Sequence, residues 1–131
     1  MEVVLVSPEA VLYTGEAKMV VVRTVDGGEI AFEDNHAQFL AALQSWPARV
    51  KFEDGSQQVF AVHSGFVEVG NNKVTILSDV AEIASDIDIE RAQRSKAEAE
   101  EALRVNPDNP DAVAQLRRAE TRLEAFGLVG A

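Results

Sequence analysis

No cysteine occurs among the 131 residues, which excludes disulfides, thiolate nucleophiles and cysteine-built metal sites. The chain has two histidines, one tryptophan and one tyrosine. Two histidines without clustered Asp or Glu at ligand spacing do not make a metal site. Basic residues are also scarce, with 12 Lys and Arg against 22 Asp and Glu and a net charge of −10. The imbalance is local: residues 1 to 88 hold five basic and fourteen acidic residues, while residues 89 to 131 hold seven and eight. An acidic N-terminal part repels phosphate backbones and anionic lipid, so no nucleic-acid partner is expected. Apolar runs are short, as in Met19-Val20-Val21-Val22, far from the roughly 20 residues that a membrane helix needs. A first strand expected almost at Met1 leaves no room for a signal or transit peptide, so the protein is expected to stay where it is translated unless a partner anchors it. Gly27-Gly28 lacks the Gly-Lys-Ser/Thr ending of a phosphate-cradling loop, so a bound nucleotide is expected as a ligand and not as a substrate.

Hydrophobic residues make up 47% and charged residues 26% of the chain, the balance of an ordinary packed domain. Up to about Ala84, short runs rich in Val, Ile and Phe are broken by Gly, Asp and Asn every 8 to 12 residues or so, the rhythm of a sandwich or barrel. Strands are predicted over 3–6, 11–13, 18–24, 29–32, 39–43, 48–52, 58–63, 66–69, 74–77 and 80–84. Alternation in Arg49-Val50-Lys51-Phe52-Glu53 places Val50 and Phe52 on a buried face. Asp26-Gly27-Gly28, Asp54-Gly55 and Gly70-Asn71-Asn72 offer the positive-φ residues that tight hairpins need, and Ser64-Gly65 reads as another hairpin. The expected fold is a ten-stranded antiparallel β-sandwich over residues 1–85, followed by an antiparallel two-helix hairpin over residues 86–131.

The pattern changes at Ser85-Asp86-Ile87-Asp88. Residues 89 to 105 are good helix formers, with Asp88 placed to cap the first turn. Asn106-Pro107-Asp108-Asn109-Pro110 ends one helix and opens the next, Asn109 as N-cap and Pro110 at the first helical position. The second helix is predicted to about Phe126. The expected packing faces are Ala92, Ser95, Ala99, Ala102 and Leu103 against Ala112, Leu116, Ala119, Leu123 and Phe126. A few large side chains at about 1.5 to 3 kcal/mol each oppose backbone ordering of about 1 to 2 kcal/mol per residue. The hairpin is therefore expected to be ordered only when docked, in equilibrium with an extended form.

Several ordered landmarks resemble those of one family. Gly28-Glu29-Ile30 and Asn35-His36-Ala37 are followed by Phe60-Ala61-Val62-His63-Ser64-Gly65-Phe66-Val67-Glu68-Val69, then Val74-Thr75-Ile76-Leu77-Ser78-Asp79 and Ile87-Asp88-Ile89-Glu90-Arg91-Ala92. Together with the sandwich-then-hairpin layout they are similar to the epsilon subunits of bacterial F-type ATP synthases. The resemblance implies a non-catalytic central-stalk subunit, peripheral on the cytoplasmic face of the cell membrane, that couples proton transport to ATP synthesis. It also implies that the sandwich binds the gamma subunit and the c-subunit ring, while the helices reach the alpha and beta subunits and inhibit hydrolysis. The ring contact is carried over to Glu29 and His36. Here Ala31-Phe32-Glu33-Asp34 replaces the family's Gly-Ile-Leu-Pro, and Gln38 its following Pro.

In ATP-binding members the nucleotide clamps the folded-down hairpin. That resemblance assigns Glu82 and Asp88 near adenine and sugar, Arg91 and Ala92 on the first helix, and Arg118 and Arg122 on the second. No cofactor is required; ATP enters as a regulatory ligand. Two arginines four apart share a helical face, and guanidinium forks suit phosphate oxygens. Where nucleotide-binding relatives carry a further basic residue, this chain has Glu98. Taken without the resemblance, Glu29 and His36 are a solvated rim, Asp88 is a helix cap, and the arginines pair with Glu120, Glu124 or the other helix. His63, inside a strand, reads as structural. The alternative functions are a stand-alone ligand-binding sandwich with a helical tail, and a small hydrolase with paired carboxylates, for which no spacing is present.

Overall fold

The computed structural model describes residues 1–130; Ala131, the last residue of the expected helical segment, lies outside them. Eight strands lead into two helices: β1 (Glu2–Val6), β2 (Val11–Glu16), β3 (Met19–Thr24), β4 (Gly28–Glu33), β5 (Phe39–Leu43), β6 (Trp46–Lys51), β7 (Gln57–Gly70) and β8 (Lys73–Ile83). A single 3-10 turn at Ala84–Asp86 then connects to α1 (Ile89–Val105) and α2 (Pro110–Gly127). No described helix is long and apolar enough to cross a membrane.

Eight strands stand where ten were expected, because two predicted breaks are corners inside long strands. β7 pairs with β6 over residues 57–62 and with β5 over residues 65–69. It thus passes from one layer to the other, and β8 follows it in one unslipped antiparallel register from Phe60 opposite Ile83 to Gly70 opposite Lys73. At the corner Ser64 and Gly65 have φ of 58° and 132°. A Cβ on Gly65 would lie 2.0 Å from the Leu77 carbonyl oxygen, so only glycine allows the strands this approach. Serines close the corner: Ser78 Oγ donates to the carbonyl of Ser64 or Val80 at 2.9 and 2.8 Å, and Ser64 Oγ donates to Asp79 at 2.7 Å. The Ser-Gly and Ser-Asp pairs have turn composition, but here they bend strands and do not end them.

The sandwich is also not wholly antiparallel, since β1 runs parallel to β8, Val3 beside Val74 and Leu5 beside Ile76. One layer is therefore β2-β1-β8-β7-β5, and the other continues from the shared β7 through β6 and β3 to β4. Val3, Leu5, Val20, Phe32, Val50, Phe60, Val67, Val74 and Ile76 fill the space between the layers, all at 0% exposure. Pro47 is tolerated in β6 because β3 pairs only with residues 49–51 of that strand, leaving no ladder partner for the missing N–H. The turn after β7 draws its positive φ from Asn71 and Asn72, at 52° and 57°, and not from Gly70.

The hairpin lies on the outer face of β6 and β7. β7 reads as five consecutive buried residues, Val59 to His63, which is possible only where both faces of a strand are covered. Phe60 and Val62 point into the sandwich core. Val59 and Ala61 instead join Ala84 and Ala125 in a second cluster, edged by Ile87 and Leu128. The helix faces largely follow expectation: Ala92, Ala99, Ala112 and Ala119 are buried and Ser95, Ala102, Leu103, Leu116 and Leu123 half-buried, while Thr121 and Ala125 are buried in addition. Phe126 and Val113 are exposed. Alanines let the helices approach closely, but each buried methyl contributes only about 0.8 kcal/mol.

Candidate functional site

Where the hairpin meets the end of β8, a cleft of about 410 Å³ opens, lined by Glu82, Asp86, Ile87, Asp88, Arg91, Ala92, Ser95, Gln115, Arg118 and Arg122. All six residues assigned to nucleotide contact border it. They come from three elements: β8 supplies Glu82, the entry to α1 supplies Asp88, Arg91 and Ala92, and α2 supplies Arg118 and Arg122.

Local rules explain each position. Asp88 is extended, with φ of −78° and ψ of 98°, and its Oδ1 accepts from the Arg91 amide at 3.1 Å. That is an N-cap, and it starts α1 in the phase that turns Arg91, Ala92 and Ser95 to the cleft. Asn109 caps α2 in the same way, accepting from the amides of Asp111 and Ala112 at 3.1 and 3.2 Å. Gln115 ties the two helices by donating to the Ser95 carbonyl at 2.9 Å or its hydroxyl at 3.2 Å. Spacing could have found both: Ser95 follows Arg91 by four, and Gln115 precedes Arg118 by three.

Glu82 is the electrostatic centre. Its Oε1 accepts from Arg122 Nε at 2.8 Å and from His63 Nε2 at 2.8 Å. The hydrogen bond from His63 holds its carboxyl below the usual carboxylate range, Arg122 adds to the effect, and partial burial opposes it. Glu82 is therefore ionised, and as a carboxylate it can only accept, so His63 Nε2 is the donor in this contact. Among the described residues this is the one ion pair joining hairpin to sandwich. Arg122 does not pair with Glu120 or Glu124, as the local alternative expected. Arg91 and Arg118 form no ion pair among the described residues, but Asp86 and Asp88 line the same cleft, so its three guanidinium groups stand among three carboxylates. A second tie is Gln57 Nε2 donating to the Leu128 carbonyl at 3.3 Å. His63, which reads as structural in the sequence, meets Glu82 only through register: Ala61 faces Glu82 and His63 faces Val80, making His63 and Glu82 diagonal neighbours on one sheet face.

Glu29 and His36 lie outside this cleft and are not brought together. Glu29 is the second residue of β4 and pairs with Arg49 at 3.2 Å. His36 follows the far end of that strand, its ring edge-on to Phe32 with centroids 5.0 Å apart and to Phe39 at 6.2 Å. Its Nδ1 is 2.8 Å from the Ala37 carbonyl oxygen. No group of three or more His, Cys, Asp or Glu suited to a metal occurs among the described residues.

A β-sandwich carrying a docked two-helix hairpin, with a charged cleft at the seam, defines a two-module protein. Family matches cover both modules: the ATP synthase Delta/Epsilon chain beta-sandwich domain over residues 1–84, and the Delta/Epsilon chain long alpha-helix domain over residues 85–127. The chain is 43% identical over 131 residues to the ATP synthase epsilon chain of Symbiobacterium thermophilum, covering 97% of this chain and 93% of that one. It is 37% identical to the epsilon chain of Streptomyces griseus over 128 residues, 98% and 96% of the two chains. The epsilon chain of Brevibacillus brevis is 43% identical over 103 residues, 79% and 77% of the two. The fold recurs in a chain of the Euglena gracilis mitochondrial ATP synthase, TM-score 0.70 at 22% identity, covering 97% of this chain and 77% of that one. It recurs again in the central stalk and c-ring assembly of the Tetrahymena thermophila enzyme, TM-score 0.62 at 15% identity, with 99% and 96% covered. This chain belongs to the ATP synthase delta/epsilon family, and the relatives named above at 37 to 43% identity are bacterial epsilon chains.

Proposed function

We propose that the chain serves as a non-catalytic subunit of the central stalk of a bacterial ATP synthase, peripheral to the membrane through its complex. In this reading residues 1–85 bind the gamma subunit and the c ring, with Glu29 and His36 facing the ring. Residues 86–131 form a detachable hairpin that restrains ATP hydrolysis by reaching the alpha and beta subunits. ATP is a ligand of the docked hairpin and not a substrate.

One observation carries the reading. Among the described residues the hairpin is docked through a small apolar cluster of Val59, Ala61, Ala84 and Ala125 edged by Ile87 and Leu128, one ion pair and one side-chain hydrogen bond, and the seam so formed gathers Arg91, Arg118 and Arg122 around a cleft. A polyanion placed there touches both helices, and through Glu82 the sandwich, so it stabilises the docked form by mass action. The expected chemistry is two-part: guanidinium forks on phosphate oxygens, with Glu82 and Asp88 toward the base and sugar.

The test is hydrogen exchange of the whole chain with and without millimolar ATP. Amides of residues 89–127 should slow with ATP while those of β3 and β6 do not change. In the assembled motor, deletion of residues 89–131 should raise ATP hydrolysis and leave gamma binding intact. No response of helix exchange to ATP would remove the nucleotide role, and unchanged hydrolysis after deletion would remove the inhibitory one.

A further inference from the structure

His63 sits where the hairpin covers β7, and one of its ring nitrogens has nothing to bond. The residue is 5% exposed; Nε2 lies 2.8 Å from Glu82 Oε1, and Nδ1 is buried without a hydrogen-bond partner. Val59, Ala61 and His63 alternate onto the strand face that the helices cover, the first two clustering with Ala125 of α2. Bare, Nδ1 is an unmet acceptor. Protonated, it is an unmet donor on a buried cation, which costs more.

The charges around the ring act in the same direction. β8 turns Glu82 to it, and α2 brings Arg122, whose Nε lies 2.8 Å from the same Oε1. Asp86, Asp88 and Arg91 stand around the cleft that Glu82 lines. β6 adds no charge at this point, since its ladder with β7 ends at Trp46 opposite Val62. Glu82 favours a second proton on the imidazole and Arg122 opposes it. Release of the hairpin carries Arg122 away, leaves Glu82 in place and opens Nδ1 to water. A proton on Nδ1 therefore suits the undocked form better than the docked one.

We propose that His63 couples hairpin docking to proton concentration: the undocked form takes a proton at Nδ1 that the docked form excludes, so mild acid releases the hairpin. The inference rests on the detachable-hairpin reading and needs no ligand in the cleft. An imidazole that titrates in its ordinary range, near about pH 6.5, and is open to the proton in one form only favours that form about tenfold more at about pH 5.5 than at about pH 7.5. Glu82 stays ionised over that window, because its carboxyl is held below its ordinary value of 4.5. Its own titration therefore does not enter.

Hydrogen exchange of the whole chain at about pH 7.5 and about pH 5.5, each rate divided by the intrinsic rate at that pH, tests this. Protection at residues 112–127 should fall about tenfold in acid while β3 and β6 keep theirs. His63→Gln, whose amide still donates to Glu82 but does not titrate, should remove the pH dependence; His63→Leu replaces it if that variant does not fold. His36→Gln changes the only other histidine and should leave the dependence intact. A histidine kept only for structure would shift protection at both pH values alike and leave their ratio alone. Equal helix protection at the two pH values in the native chain overturns the inference, as does an equal fall in the strands. A dependence that survives removal of His63, or disappears with His36→Gln, overturns it too. Helix protection equal to that of the strands at both pH values overturns the detachable hairpin and this inference together.

Discussion

Replacing Arg122 with Gln probes the contact by which charge holds the hairpin down. Arg122 Nε lies 2.8 Å from Glu82 Oε1, and the side chains are 26% and 33% exposed. Charge centres about 4 Å apart attract by about 4 kcal/mol at an effective dielectric of 20 and by about 1 kcal/mol in water. Partial exposure and the entropy of holding a long side chain push the net value toward the range of exposed pairs, about 0 to 1 kcal/mol. Glu82 keeps its bond from His63 in the variant, so it is not stranded. The expected loss is thus about 1 kcal/mol, or about a fivefold rise in undocked hairpin. Hydrogen exchange reads this directly: protection at residues 112–127 should fall about fivefold while β3 and β6 keep theirs. A double-mutant cycle with Glu82→Gln should show coupling of about 0.5 to 1 kcal/mol. The reasoning is refuted if helix protection is unchanged, if it falls equally in the strands, or if the two substitutions are additive.

Acid should act on the same contact. The Glu82 carboxyl lies below its ordinary value of 4.5 in the folded protein, so its contribution is complete above about pH 4.5 and is lost as pH falls through the lowered folded value. The main cause, His63, stays with the sandwich on undocking, so thermal unfolding between pH 3 and 6 should shift more than hairpin exchange does. Gly65→Ala should prevent the sandwich from forming, because its Cβ would meet the Leu77 carbonyl at 2.0 Å with φ at 132°; a circular-dichroism melt close to that of the native chain would contradict this. Asp88→Ala removes the cap from α1 and should cost about 1 kcal/mol, seen as faster exchange at Arg91 and in the first turn only. Ala119→Leu overpacks a fully buried position by about 1 to 3 kcal/mol. It should release the hairpin while the strand amides keep their protection.

Much of the fold is legible in the sequence. The helices were placed within a residue or two because their signals are local: Asp88 and Asn109 at the caps, Pro110 at the first position and good helix formers between. The first six strands were legible for the same reason, through alternation bounded by turn residues. The two longest strands were not, since Ser64-Gly65 and Ser78-Asp79 carry the composition of turns and nothing nearby says that the chain continues through them. The cleft followed the same division: arginines four apart can be read from helical spacing, but that they face Glu82 cannot.

By itself the sequence determined which segments are strand and which are helix, the phase of each helix and the charges carried on it, because these follow from neighbours within about four residues. Only the tertiary structure decided that β7 and β8 bend through a corner to serve both layers, that α2 covers Val59 and Ala61, and that His63 reaches Glu82. Those outcomes depend on strand register and on contacts between segments distant in the chain: Glu82 and Arg122 stand 40 residues apart, and no local rule relates them.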